Sequence, residues 1–217
     1  MVTGYSQKVQ TPLNAPQPLR FAPADKLSFD PRRQLAEIFV AGFYDWLKYF
    51  SKSQPKLSAA LEHSFRLAEF YVAVTDSQRI VAMAACPQGQ PSLALDAKKM
   101  RDALGISRGT FAAKMLQKHL VENEYPFPLT ADTGSIEFVA TAPDAQGRGI
   151  AGQLIEYVIK NRPFQKYVLE VAQTNLRAVQ LYTRLGFTEK ARMPASKRSG
   201  VGSYLYLERP RSLLRKI

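Results

Sequence analysis

Ile136-Glu137-Phe138-Val139-Ala140-Thr141-Ala142-Pro143-Asp144-Ala145-Gln146-Gly147-Arg148-Gly149-Ile150-Ala151-Gly152 is the stretch whose reading decides the fold. Its first six residues read as a strand and its end as the start of a helix. A glycine-rich junction of that kind leaves bare backbone N–H groups beside a helix N-terminus, which suits a phosphate. Small residues at 147, 149, 151 and 152 let a diphosphate approach without a side-chain clash. A second strand, Tyr167 to Ala172, then leads through Asn175 into a helix ending Leu181-Tyr182-Thr183-Arg184-Leu185-Gly186-Phe187.

Two common phosphate motifs do not describe this loop. Gly147-Arg148-Gly149-Ile150-Ala151-Gly152 carries the letters of G-x-G-x-x-G, but no acidic residue stands at the later strand end that a dinucleotide site requires. The P-loop pattern G-x-x-x-x-G-K-[ST] is absent. What fits is Gln/Arg-x-x-Gly-x-Gly/Ala, read as Gln146, Gly149 and Ala151. The second half follows L-E-V-x-x-x-N-x-x-A-x-x-L-Y-x-x-x-G-F at Leu169, Glu170, Val171, Asn175, Ala178, Leu181, Tyr182, Gly186 and Phe187.

Together with the segment beginning at Thr141, this order resembles the GNAT superfamily of acyl-CoA-dependent N-acyltransferases. The close resemblance covers about 55 residues. It implies an α/β fold with a mixed, mostly antiparallel sheet of about six or seven strands flanked by helices. It also implies direct acetyl transfer from acetyl-CoA, as co-substrate, to a primary amine of a small molecule or peptide. By the resemblance, Tyr182 is the acid beside the thioester sulfur; a core tyrosine on an amphipathic helix is the plainer reading. Glu137 and Glu170 compete as base, with Glu137 ranked slightly ahead, and each could instead sit on a solvated strand face or pair with Arg or Lys. Period-2 alternation puts Glu137, Val139 and Thr141 on one face. Val139, Ala140 and Thr141 would offer backbone groups to the pantetheine arm. Gln146, Gly147, Arg148, Gly149, Ile150, Ala151 and Gly152 would take the diphosphate, with Arg148 at its rim. Asn175 would bond the pantetheine, cap the helix, or do both. Cys86 is not a nucleophile in such an enzyme.

The rest of the 217 residues bounds this reading. Hydrophobic content of 46% and charged content of 22% suit an ordinary globular chain. No apolar run approaches the roughly 20 residues of a membrane span, and Met1 to Leu27 lacks an apolar signal core, so a cytoplasmic location is expected. One cysteine allows no internal disulfide, and two histidines, His63 and His119, are too few and scattered for a metal site, so no metal is expected. Each histidine reads as a surface or packing residue. A net charge of +12 suits anionic partners: coenzyme A, an acidic or phosphorylated acceptor, or nucleic acid. No membrane partner is expected, and a homodimer is left open.

Residues 1–25 read as an extended or partly disordered arm, and 26–217 as one acyltransferase domain. Asp30-Pro31 signals a helix start, followed by an apolar stripe at Leu35, Ile38, Phe39, Gly42, Phe43, Trp46, Leu47 and Phe50. Phe70–Thr75 and Ile80–Ala85 read as a hairpin. Residues 87–133 read as a helical insertion between the third and fourth strands, with helices at Lys98–Leu104 and Thr110–Asn123 and a turn at Gly105 to Gly109. That turn resembles a helix-turn-helix junction. A helical hairpin capping the acceptor cleft is the preferred reading; the alternative is a CoA-binding regulator whose insertion contacts nucleic acid. Phe187–Met193 and Val201–Leu207 read as the last strands, separated by a basic loop with Lys197 and Arg198, and the tail from Arg209 as exposed.

Overall fold

The computed structural model describes residues 18–122, 125–196 and 201–213. The expected arm up to Gln17, Lys197 and Arg198 of the basic loop, and the end of the expected second insertion helix (Asn123) lie outside the described residues. Two four-stranded sheets carry the architecture. The first has the order β1 (Leu19–Pro23), β2 (Phe70–Thr75), β3 (Ile80–Ala85), β5 (Glu137–Thr141), with every pairing antiparallel. The second has the order β4 (Thr133–Ser135), β6 (Lys166–Ala172), β8 (Ser203–Pro210), β7 (Thr188–Pro194), and only the β4–β6 pairing is parallel. Helices pack against them, as the α/β reading requires. Residues 19–23, assigned by sequence to the arm, form an edge strand on β2.

The hairpin β2–β3 is buried along its whole length on both faces. That is why both strands read as unbroken apolar runs rather than alternating ones. Phe70 stacks on Phe138 with ring centroids 6.5 Å apart, while its neighbour Tyr71, pointing the other way, meets Tyr157 at 6.1 Å. Tyr157 belongs to α6 (Ile150–Asn161), and the opposite side carries α1 (Arg32–Gly42), whose Leu35, Ile38 and Phe39 are buried. Helix α1 starts one residue later than Asp30-Pro31 suggests, with Pro31 at the N-cap position, and Asp30 Oδ1 accepts the backbone N–H of Arg32 at 3.0 Å. A short turn of helix, α2 (Tyr44–Leu47), and α3 (Gln54–Leu61), capped by Ser53, complete this side.

The region read as an insertion contributes α4 (Ala97–Leu104) and α5 (Ile106–Leu116). The turn between them is Gly105 alone, not five residues; α5 already begins at Ile106. At Gly109 the two helices touch so closely that a Cβ there would lie 2.5 Å from the Arg101 Cα. Met100, Ala112 and Leu116 join the continuous core.

The tail departs from its reading. β8 runs on to Pro210, and Arg209 is wholly buried. Its two terminal nitrogens donate to Glu156 Oε1 and Oε2 of α6 at 2.8 and 3.1 Å, a fork that sequence distance hides. This pair ties the second sheet to the helix that backs the first. Among the described residues no helix is long and apolar enough to cross a membrane. Arg209→Ala should cost about 3–5 kcal/mol in urea unfolding by stranding Glu156, and the double change Arg209→Met with Glu156→Leu should recover most of it.

Candidate active site

The two sheets are two halves of one splayed surface. β4 pairs with β6 as far as Ser135–Val168, and Ile136 still donates its N–H to the Val168 carbonyl at 2.8 Å. The chain then leaves β6 and pairs with β3 instead. Among the described residues β5 then pairs with β3, while residues 169–172 of β6 pair with β8. The facing edges of β5 and β6 diverge.

A bulge marks the parting. Ala85 faces Glu137 and Met83 faces Ala140, so three steps of β5 cover two of β3. Phe138 takes up the extra residue with φ of +50°. A bulky residue in that region costs about 1–3 kcal/mol. Its ring is held among Phe39 (5.4 Å), Phe43 (6.2 Å) and Phe70 (6.5 Å), which offsets the strain. The bulge overturns the alternation expected from sequence: Glu137 shares a face with Ala140, not with Val139 and Thr141.

At the far end of β5 the expected phosphate loop is built as a cradle. Pro143–Ala145 make one 3-10 turn, and the Gln146 side chain donates to the Thr141 carbonyl at 3.3 Å. Gly147 and Gly149 have φ of +77° and +72°, a conformation that side chains resist. No side chain caps α6, so the leading amides at Ile150 and Ala151 stay without such a partner. A Cβ at Gly147 would meet nothing within 4 Å. Arg148 is exposed beside them. Gly152 differs from the reading of an open approach: it is buried, and a Cβ there would press on Leu181 at 3.3 Å, so it serves the packing of α6 on α7 (Leu176–Arg184).

A cleft of about 1240 Å³ opens between the splayed edges and is lined by Glu137, Val139, Glu170, Asn175 and Tyr182 among others. Asn175 caps α7, its Oδ1 accepting the Ala178 N–H at 3.2 Å. Tyr182 is buried against Phe187 at 6.0 Å, and burial pushes its phenol up to about 12. Glu137 accepts hydrogen bonds from Ser92 Oγ (2.6 Å) and Ser135 Oγ (3.0 Å). Burial raises its pKa above the usual carboxylate range, while the two serines oppose this by favouring the anion. Tyr125 donates to Ser135 at 2.7 Å, since Ser135 spends its own proton on Glu137. Glu170 lies opposite Tyr206 on β8 and hydrogen-bonds its phenol.

Sequence reasoning missed Ser92, Ser135, Tyr125 and Phe127. No local pattern marks them, and three of the four lie in the stretch read as an insertion. His119 also lines the cleft, edge-on to Trp46 at 6.3 Å. Cys86 is fully buried, and its thiol is pushed up to about 12 by burial, so it carries no thiolate. The Ser92→Ala variant should raise the Glu137 pKa further, because it removes a donor to the charged form; a carbon-13 titration of the side-chain carboxyls would show the shift.

A search of curated proteins returns no match. Solved structures are similar in fold. One is a histone acetyltransferase HPA2 and related acetyltransferase from Corynebacterium glutamicum: 21% identity, 88% of this chain and 96% of that one covered, TM-score 0.59. An N-acetyltransferase from Staphylococcus aureus Mu50 shares 16% identity, with 83% and 96% covered and a TM-score of 0.54. The ribosomal-protein-S18-alanine N-acetyltransferase from Escherichia coli also shares 16%, with 88% and 93% covered and a TM-score of 0.50. The model of the acetyltransferase (GNAT) family matches residues 33–187, a span that holds β2 to β6, the cradle, both glutamates and Tyr182. On that match the chain belongs to the GNAT acetyltransferase family.

Proposed function

We propose that this chain is an N-acetyltransferase that moves an acetyl group from acetyl-CoA directly to a primary amine. The observation that carries the reading is the parting of β5 from β6 above a cradle of positive-φ glycines, with a buried glutamate and a buried tyrosine lining the same cleft. The free edge at Val139, Ala140 and Thr141 suits an extended amide-bearing arm. The amides at Gly147, Gly149, Ile150 and Ala151, with Arg148 beside them, suit a diphosphate. Gln146 braces the loop through Thr141, and the Asn175 amide nitrogen remains available to a carbonyl of that arm.

When bound, acetyl-CoA supplies an acyl group already activated as a thioester. The chain must then free the amine lone pair and stabilise charge on the departing sulfur. Over the reaction an ammonium loses two protons, one ending on sulfur and one in solvent. Glu137 is the base in this reading: burial raises its proton affinity, while Ser92 and Ser135 keep it oriented and available as the anion. Glu170, engaged by Tyr206, holds the amine rather than deprotonating it. Tyr182 acts on the sulfur side. A phenol near 12 stays protonated at every working pH. Full transfer of its proton to a thiolate of reference pKa about 8.5 is uphill, so the hydroxyl serves as a hydrogen-bond donor to the charge developing on sulfur.

Tyr182→Phe should lower kcat by about 10²-fold or more with coenzyme affinity nearly intact, read by thiol release and by calorimetry. Unchanged turnover would remove its role. In the wild type, kcat/KM should fall as pH drops through the raised Glu137 pKa, because the base becomes protonated. Glu137→Gln should lose most activity and this acid limb, whereas Glu170→Gln should keep the limb; the opposite pattern would make Glu170 the base. Gly149→Ala should cost about 1–2 kcal/mol of stability by forcing a side chain into left-handed backbone and should weaken coenzyme A binding. A heatless titration of the wild type with millimolar coenzyme A would overturn the assignment.

A further inference from the structure

Glu69 and Arg162 lie outside the cleft and are paired at 2.7 Å, with side chains only 13% and 12% exposed. Glu69 stands just before β2 and Arg162 just after α6. Phe70 faces Ala85 in the β2–β3 register, so the residues just outside the ladder also meet: the Cys86 N–H donates to the Glu69 carbonyl at 2.9 Å. Pro87 has no N–H, and the Glu69 carboxylate takes the next one, from Gln88, at 3.0 Å. Arg162 closes the clasp, donating to Glu69 Oε2 at 2.7 Å, to the Ala68 carbonyl at 3.0 Å and to Gln88 Oε1 at 3.1 Å. The far end of the same loop is tied to the same segment. Arg66 donates its N–H to the Ser92 carbonyl at 3.0 Å, and Ala94 donates its own to the Ser64 carbonyl at 2.8 Å. Residues 64–69 thus hold both ends of the loop 86–94, whose one serine, the buried Ser92, donates to Glu137 at 2.6 Å.

We infer that Glu69 and Arg162 are positioning residues for Glu137: the pair anchors the loop that aims Ser92 at it, and Arg162 balances the Glu69 charge on the same side of the site. The consequence for turnover rests on the reading of Glu137 as base; the effect on its carboxyl does not. Burial comes first in setting the proton affinity of Glu137, Ser92 and Ser135 oppose it, and the Glu69 charge raises it further. A neighbouring carboxylate disfavours the ionised form of another, and a guanidinium bound to that neighbour offsets the effect. The other titratable groups near Glu137 among the described residues are the Cys86 thiol and the Tyr125 phenol, both pushed up by burial and neutral at working pH, and Glu170 across the cleft. A lysine at 162 would carry the charge but could not hold three acceptors in one planar fork. Arg162 therefore joins two tasks, fixing the loop end through Gln88 and Ala68 and cancelling the Glu69 charge.

The test is a carbon-13 titration of the Glu137 carboxyl in the full chain without coenzyme, identified as the resonance that stops titrating in Glu137→Gln. Arg162→Gln should move its midpoint up by at least about half a pH unit, because Glu69 is left unbalanced and the loop end is freed. Glu69→Gln should move it down by a similar amount: the amide oxygen still accepts from Gln88 and Arg162, but the like charge is gone. A pair that only held the loop together would move the midpoint upward in both variants, by weakening the Ser92 donor, or in neither; each of those results would overturn the proposal. Should Arg162→Gln fail to fold, Glu69→Gln decides alone, a downward shift supporting the proposal and any other result overturning it. In a Ser92→Ala background Arg162→Gln should move the midpoint less than in the wild type, and an equal shift would overturn the anchoring of the loop. The acid limb of kcat/KM should follow the midpoint, to higher pH in Arg162→Gln and to lower pH in Glu69→Gln. Midpoints that move as stated with an acid limb that stays put would sink the base reading of Glu137 and leave the positioning pair standing.

Discussion

The rest of the molecule depends on where one strand changes partners. Residues 133–136 add to the second sheet beside β6, and residues 137–141 add to the first sheet beside β3. A continuous strand cannot stay paired with both once the sheets diverge, so among the described residues β5 and β6 share no ladder. Unpaired backbone groups away from solvent are costly, and a wedge of this kind is stable when polar ligands or water can reach it. Phe138, strained at the bulge and buried by its ring, is the hinge residue of the arrangement. Ring packing in the first sheet thus holds open the gap between β5 and β6.

The same divergence sorts the electrostatics. On one side of the gap lies the cradle, with its positive-φ glycines, the α6 amides that no side chain caps, and exposed Arg148. On the other stand Glu137 and Glu170 with their tyrosine and serine partners. Buried hydrogen-bonded chains such as Tyr125–Ser135–Glu137 are worth more than isolated pairs because each bond polarises the next.

Much of the scaffold was legible. The hairpin Phe70–Thr75 with Ile80–Ala85 could be read residue for residue, since a doubly buried strand pair writes itself as two apolar runs around a polar turn. The cradle was legible because its glycines are local backbone requirements. The alternation at Glu137 was misread because a bulge is set by packing of Phe138 against three distant phenylalanines, which no period in the strand reveals. Arg209 was misread as tail because a buried arginine depends on a partner 53 positions away. Gly152 looked like part of the ligand loop until Leu181 appeared above it.

By itself the sequence determined the β2–β3 hairpin, the glycine-rich strand-to-helix junction, the family and the candidates Glu137, Glu170 and Tyr182, because these follow from local backbone preference and from residue types at short spacing. Tertiary structure alone decided which groups meet. Ser92, Tyr125, Ser135 and Tyr206 come from three separate regions of the chain, and the net positive charge says nothing about the sign of one cleft. Side-chain contacts across 10 to 50 positions depend on how sheets part and helices cross, and that geometry is a property of the packed whole.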